Sequence, residues 1–290
     1  MSFDTRRVDH DGVSTHYLEA APDGASAETI LLVHDGWFGA DAATLWSRLV
    51  PLLADEFRVV APDMVGFGGT DKIVYFDRSM YAYRSAHLGS FVRAVCGDGP
   101  VHAVGTSMGG SILLRDAVAP QPQIRTRSVL SISGSGGPWR SSFGAEELGR
   151  YDGTVEDIAR VLAYMAEDVS DRDDLVAARH ANALVPGHAE CLLSGTVRRP
   201  VPPAERPADP WPKQLAELRV PTTVVAGQRD PLLEPGWEKH LEGISPLLRT
   251  EAIDTLHAPS IDHPEAVAAL VRANVARARE GAATNESEER

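Results

Sequence analysis

The chain has 290 residues, 43% hydrophobic and 24% charged, with a formal net charge of −13, which suits one large soluble domain or a core with an inserted lid. The acidic balance excludes a nucleic-acid surface, because phosphates are held by clustered Lys and Arg. Two cysteines, Cys96 and Cys191, are too few for a disulfide framework or a thiolate metal site.

From the start, Met1-Ser2-Phe3-Asp4-Thr5-Arg6-Arg7 lacks the apolar stretch of a secretory signal. No later run approaches the ~18–20 apolar residues that cross a bilayer. No membrane partner is expected, and the cytoplasm is the default location. Arg7 to Leu18, with Asp11-Gly12 at its middle, reads as an antiparallel hairpin at a sheet edge. Short runs rich in Val, Ile and Leu then alternate with helix-compatible segments. They are Thr29–Val33, Phe57–Ala61, Val101–Gly105, Arg127–Ile132 and Thr222–Ala226. Near-continuous apolar strands spaced by helices indicate an α/β fold, a mostly parallel sheet covered on both faces.

Between Gly134 and about Pro212 this rhythm breaks. Ser135-Gly136-Gly137-Pro138 opens a loop, and Thr154 to Met165 reads as a helix capped by Thr154, with Ile158, Val161, Leu162 and Met165 on one face. A second helix is expected from about Asp171–Asp174, carrying Leu175, Val176 and Arg179. Six prolines between Pro200 and Pro212 mark an irregular connector. The division expected is a core of residues 1–134 and 213–280, a helical cap of residues 135–212 over the strand ends, and a polar, disordered tail of residues 281–290.

Gly105-Thr106-Ser107-Met108-Gly109 fits G-x-S-x-G where that motif has to sit, after an apolar strand and before the helix of Ile112, Leu113 and Leu114. A tight strand-to-helix turn exposes the serine hydroxyl, and the helix N-terminus adds partial positive charge beside a developing oxyanion. Without such context the motif is only a glycine-rich turn. Asp230 in Ala226-Gly227-Gln228-Arg229-Asp230-Pro231 directly follows a strand, where a carboxylate can orient an imidazole. It reads alternatively as a cap for a helix near Pro235. The base must come last in this chain order, and His257 and His263 are both available. His257 follows the last strand in a loop; His263 precedes Pro264 at a helix start and reads as a cap. His102, His180, His188 and His240 read as structural or surface groups. The oxyanion donors expected are the N–H groups of Met108 and of Gly36, in the loop His34-Asp35-Gly36-Trp37-Phe38-Gly39. His34 is expected to hold that loop together. Asp35 is out of place there unless its carboxylate points away from the oxyanion.

Together these residues resemble the α/β-hydrolase family over nearly the whole chain, which implies an eight-stranded, mostly parallel sheet flanked by helices with an inserted cap. Within it, the phrase Asp63-Met64-Val65-Gly66-Phe67-Gly68 and the loop His34 to Ala40 look like those of the meta-cleavage-product hydrolases. These cut a carbon–carbon bond in 2-hydroxy-6-oxo-dienoates from aromatic or steroid rings. The resemblance matches Arg179 to the arginine that binds the substrate carboxylate; otherwise Arg179 is a solvated lid residue. Thr106 stands where the family usually has Asn, Ala258 where it has an aromatic residue, and Asp35 and Trp37 where it has glycines. Those departures fall on the pocket, so Trp37 and Thr106 join Arg179 as substrate-binding candidates. Trp37, Phe38, Trp139, Phe143 and Met165 are candidate pocket aromatics and apolars, or ordinary packing. The expected activity is a serine hydrolase of a small-molecule substrate, needing no metal and no other cofactor. Carbon–carbon hydrolysis, an esterase or lactonase, and a non-catalytic small-molecule receptor remain open, as does a homo-oligomer.

Overall fold

The computed structural model describes residues 3–22, 27–167, 171–194 and 209–288. Its strands are β1 (Asp4–His10), β2 (Val13–Ala20), β3 (Thr29–Val33), β4 (Arg58–Pro62), β5 (Val101–Thr106), β6 (Thr126–Ile132), β7 (Thr222–Gly227) and β8 (Leu248–Ile253). They form an eight-stranded sheet in the order β1-β2-β4-β3-β5-β6-β7-β8. The hairpin of β1 and β2 is antiparallel and joins the sheet by antiparallel pairing of β2 with β4; every later pairing is parallel. Asp11 and Gly12 turn the hairpin with φ of 46° and 77°, the left-handed pair that a two-residue connection requires.

The buried strands divide their side chains between two cores. In β3, Ile30 and Leu32 enter one core with Trp46, Leu49 and Val271, while Leu31 and Val33 enter the other with Phe91, Ile112 and Leu113. Side chains alternate across a strand, so a run such as Ile-Leu-Leu-Val is explained only by cover on both faces. All four are fully buried, each contributing about 1.5–3 kcal/mol. The cover comes from α1 (Ala42–Trp46), α2 (Val50–Leu53), α3 (Met80–Cys96), α4 (Met108–Ala117) and α9 (Pro264–Glu288). Helix α9 continues through most of the stretch expected to be a disordered tail from Gly281. The helix is anchored by Val267, Ala268, Val271 and Val275, and extending a packed helix through Ala282-Ala283 costs little once its first turn exists.

Between β6 and β7 the chain forms α5 (Ser142–Gly149), α6 (Val155–Met165), α7 (Arg172–Ala183) and α8 (His188–Leu193). The Thr154 hydroxyl caps α6 by accepting from the Asp157 N–H, and Asp171 precedes α7, as the sequence predicts. Ile158, Val161, Leu162 and Met165 of α6 join the same core as Ile30 and Leu32, so these helices rest directly on the sheet domain. The Pro-rich connector lies outside the described residues up to residue 208. Beyond it, Trp211 donates from Nε1 to the Ser135 carbonyl at 2.9 Å. Among the described residues, no helix is long and apolar enough to cross a membrane.

Candidate active site

Ser107 sits between β5 and α4 with φ 56° and ψ −117°, a conformation that costs about 1–3 kcal/mol for a residue with a side chain. Neighbouring contacts hold it there. Its N–H donates to the Ile132 carbonyl of β6 at 2.8 Å, and its own carbonyl accepts from the Ser111 N–H at 2.9 Å. The flanking glycines are fixed by close approach: a Cβ on Gly105 would lie 2.5 Å from the Gly110 nitrogen, and one on Gly109 would lie 2.3 Å from the Val33 carbonyl oxygen. Ser107 and Met108 remain partly exposed at the head of the turn.

Asp230 follows β7 and His257 follows β8, so both reach the same end of the sheet as Ser107. His257 donates from Nδ1 to Asp230 Oδ2 at 2.7 Å, leaving Nε2 with a free lone pair. The other Asp230 oxygen, Oδ1, accepts from the Leu232 N–H at 2.9 Å, which fixes the carboxylate plane. Both residues are buried. Burial alone would lower the His257 pKa, but Asp230 and then Asp35 outweigh it and hold the imidazole above its ordinary value. His263, the alternative base, lies against Asp262 with its side chain 44% exposed, and it precedes Pro264 at the start of α9.

The loop after β3 runs against this turn. A Cβ on Gly36 would lie 2.7 Å from Met108 Cβ, so Gly36 and Met108, the two expected oxyanion donors, are neighbours. His34 holds the loop as expected: its Nδ1 donates to the Asp35 carbonyl at 2.6 Å and its Nε2 accepts from the Met64 N–H at 2.9 Å. It is fully buried, and burial depresses its pKa, consistent with a neutral ring that can do both. Asp63, in the loop after β4, organises the same region. It accepts from the Ala42 and Gly69 N–H groups, each at 2.8 Å, and from His16 Nδ1 at 2.7 Å.

Arg179 is brought to the site, but its guanidinium is taken. Nη2 donates to Asp35 Oδ1 at 2.7 Å, and the two residues are 0% and 2% exposed. Asp35 Oδ1 also accepts from the Trp37 N–H at 3.1 Å. Burial would raise the Asp35 pKa, yet the Arg179 charge keeps it below the usual carboxylate value. The out-of-place Asp35 therefore has a buried counter-charge on α7. Trp37 is also spent on packing: its Nε1 donates to the Leu148 carbonyl of α5 at 3.0 Å, and its ring meets Tyr151 edge-on. Phe38 stacks on Tyr151 with centroids 4.0 Å apart. Thr106 is fully buried, with a hydroxyl that finds no partner among the described residues. Met165 is buried, Trp139 stacks on His240, and Phe143 is 42% exposed.

Several residues that join the helices of 142–193 to the site carry no sequence signal. His188, on α8, accepts from the Gly39 N–H and donates to the Gly66 carbonyl, each at 2.9 Å, bolting two core loops together. Burial pushes its pKa down to about 4, so the ring stays neutral. Asn182 of α7 donates to Asp41 Oδ2 at 2.8 Å. The Met165 carbonyl at the end of α6 accepts from the Ala258 N–H at 2.9 Å, one residue beyond His257. Ala258 is fully buried, and its small side chain lets α6 approach this closely.

Residues 30–270 match the model of the alpha/beta hydrolase family. The chain belongs to that family. Among curated relatives, this alpha/beta hydrolase is 42% identical over 109 residues to a 2-hydroxy-6-oxo-6-(2'-aminophenyl)hexa-2,4-dienoic acid hydrolase of Metapseudomonas resinovorans, a match covering 37% of this chain and 34% of that one. It thus spans only about a third of that relative's length. It is 30% identical over 218 residues to a 2-hydroxy-6-oxononadienedioate/2-hydroxy-6-oxononatrienedioate hydrolase of Pseudomonas putida, covering 71% of this chain and 73% of the relative. A solved serine hydrolase involved in carbazole degradation superposes with a TM-score of 0.76 over 95% of this chain and 99% of its own, at 24% identity. That likeness speaks for the fold alone.

Proposed function

We propose that this chain is a serine hydrolase in which Ser107 is the nucleophile, His257 the general base and Asp230 the residue that orients the base. The His257–Asp230 hydrogen bond at 2.7 Å, at the same sheet end as the strained Ser107 turn, carries this reading. His257 Nε2 takes the Ser107 proton as Oγ attacks an electron-poor carbonyl, and the Gly36 and Met108 N–H groups receive the oxyanion. Helices α5–α8 act as the cap that shields this chemistry from water.

The substrate class that best fits the named relatives is a 2-hydroxy-6-oxo-dienoate. Its dienol first ketonises. Ser107 then adds to the 6-oxo carbon, and the carbon–carbon bond breaks with its electron pair departing as a vinylogous enolate. The imidazolium of His257 returns the proton, and water, activated by the same imidazole, frees the acyl group from Ser107. A second reading, ester or lactone hydrolysis with the same residues, is favoured by the Asp35–Arg179 pair, which leaves Arg179 without spare charge for a carboxylate.

Stopped-flow absorbance with a 2-hydroxy-6-oxo-dienoate, beside a p-nitrophenyl ester, separates the two. Rapid bleaching of the dienoate supports carbon–carbon hydrolysis; ester turnover with an unchanged dienoate overturns it. The pH profile follows from the raised His257 pKa. A general base works as the neutral imidazole, so kcat/KM is expected to rise with pH through a value above the ordinary ~6.5. A plateau already reached below that value would contradict it.

A further inference from the structure

The end of the sheet opposite Ser107 carries an opening of its own. Where β5, β6 and β7 begin, a cavity of about 680 Å³ lies between α3, α4 and the segments that lead into those strands. Ala117, the last residue of α4, lines it. The 10 residues of α4 therefore separate it from the Ser107 turn, about 15 Å at ~1.5 Å per residue.

The cavity has an apolar floor and fixed walls. Val92, Ala117 and Ile124 line it, are buried, and belong to the same core as Leu31 and Val33. The buried Asp116 carboxylate accepts from the Gln123 N–H at 2.9 Å, from the Ile124 N–H at 3.0 Å, and from the Ser85 hydroxyl of α3. A Cβ on Gly89 would lie 2.3 Å from the Gln123 carbonyl oxygen, so α3 and this loop meet without slack. At the mouth, a Cβ on Gly97 or Gly99 would have no neighbour closer than 4.0 Å, which leaves the way in unobstructed.

The rim is cationic. Arg93, Arg125 and Arg219 line the cavity, and Asp98 is the acidic residue among them. Arg125 Nη1 donates to the Asp98 carbonyl at 3.0 Å and Arg93 Nη1 to the Gln123 carbonyl at 3.4 Å, which sets both guanidiniums against lining residues. Among the described residues, no carboxylate lies within ion-pair distance of any of the three arginines. Elsewhere exposed or half-buried arginines are paired, as in Arg58–Glu19, Arg115–Asp209 and Arg272–Glu56. In a chain of net charge −13, unpaired cations gathered on one concave surface focus positive potential there.

We propose that this cavity is a second ligand site, separate from the Ser107 site, that takes a small aromatic carboxylate. The ring lies over Val92, Ile124 and Val220, and the carboxylate meets guanidinium forks at the rim, whose planar geometry matches it. An inorganic anion would leave the apolar floor uncovered, and a neutral ring would leave the cations unpaired. The site stands or falls independently of the chemistry at Ser107.

Calorimetric titration of 2-naphthoate into the full chain, beside neutral 2-naphthamide and inorganic phosphate, tests both halves of the recognition. The naphthoate is expected to bind at least about tenfold more tightly than either control, since each control lacks one set of contacts. Arg93→Gln, Arg125→Gln and Arg219→Gln should each weaken it by about three- to tenfold, the size of a solvent-exposed charge-assisted contact. The matching Lys variants should recover part of the loss, and added salt should weaken wild-type binding. Equal binding of naphthoate and naphthamide, or naphthoate binding that is absent or indifferent to all three arginines, overturns the proposal.

Crystals grown with 6-bromo-2-naphthoate give a readout that needs no variant. Anomalous scattering from bromine between α3 and the start of β6 is the expected result. Bromine found only beside Ser107, or at neither place, overturns the proposal.

Discussion

Replacing Ser107 by Ala is expected to cut kcat by about 10⁵- to 10⁶-fold, because nucleophile and base act as a unit and only binding and oxyanion stabilisation remain without one of them. Single-turnover rates on whichever substrate the wild-type chain cleaves would measure the loss. Turnover within tenfold of wild type would reject Ser107 as the nucleophile. Stability should move differently. Alanine keeps a Cβ and therefore keeps the strain of φ 56° and ψ −117° at this position. Glycine removes it, so Ser107→Gly is expected to be inactive yet more stable than Ser107→Ala by about 1 kcal/mol, read from denaturant unfolding. A stability gain bought with activity at one residue is the signature of strain kept for chemistry.

The parts of this site that could be read from the sequence are those encoded by neighbours along the chain. The turn at Ser107 announces itself because strand, glycines and helix lie within a dozen residues, and each of them is locally constrained. Asp230 is found because it closely follows the apolar run of β7, and His257 because it sits in the loop between the last strand and the final helix. The β3 run from Ile30 to Val33, buried on both faces, likewise tells its own story. The swapped order of β3 and β4 in the sheet has no local signal. Neither do the links between the helices of 142–193 and the core. His188 reaches Gly39 across 149 positions, and Arg179 reaches Asp35 across 144. Spacing could place Arg179 on a helix, and the family resemblance could bring it to the site, but neither could show that Asp35 would meet it first. The oddity of Asp35 in a glycine-rich loop was a signal that its partner lay elsewhere.

Breaking the Asp35–Arg179 pair from one side is expected to cost about 3–5 kcal/mol, because each single change leaves a fully buried, uncompensated charge. Arg179→Met strands the Asp35 carboxylate, and Asp35→Leu strands the guanidinium. The double variant should be far closer to wild type, since two apolar side chains demand no counter-charge in a site with 0% and 2% exposure. Urea unfolding of the four proteins measures the coupling; additive losses would mean that the pair is not energetically linked. Acid sensitivity provides an independent check. Asp35 has its pKa depressed when folded, so its contribution is present above the unfolded carboxyl pKa and lost as pH falls through the folded one. The double variant should lose that part of the acid dependence. Activity separates scaffold from chemistry in the same set. The loop holding Asp35 also carries Gly36, whose neighbour across the turn is Met108. A stable double variant with depressed kcat would show that the buried pair positions the proposed oxyanion donors, whereas wild-type kcat would confine it to joining α7 to the core.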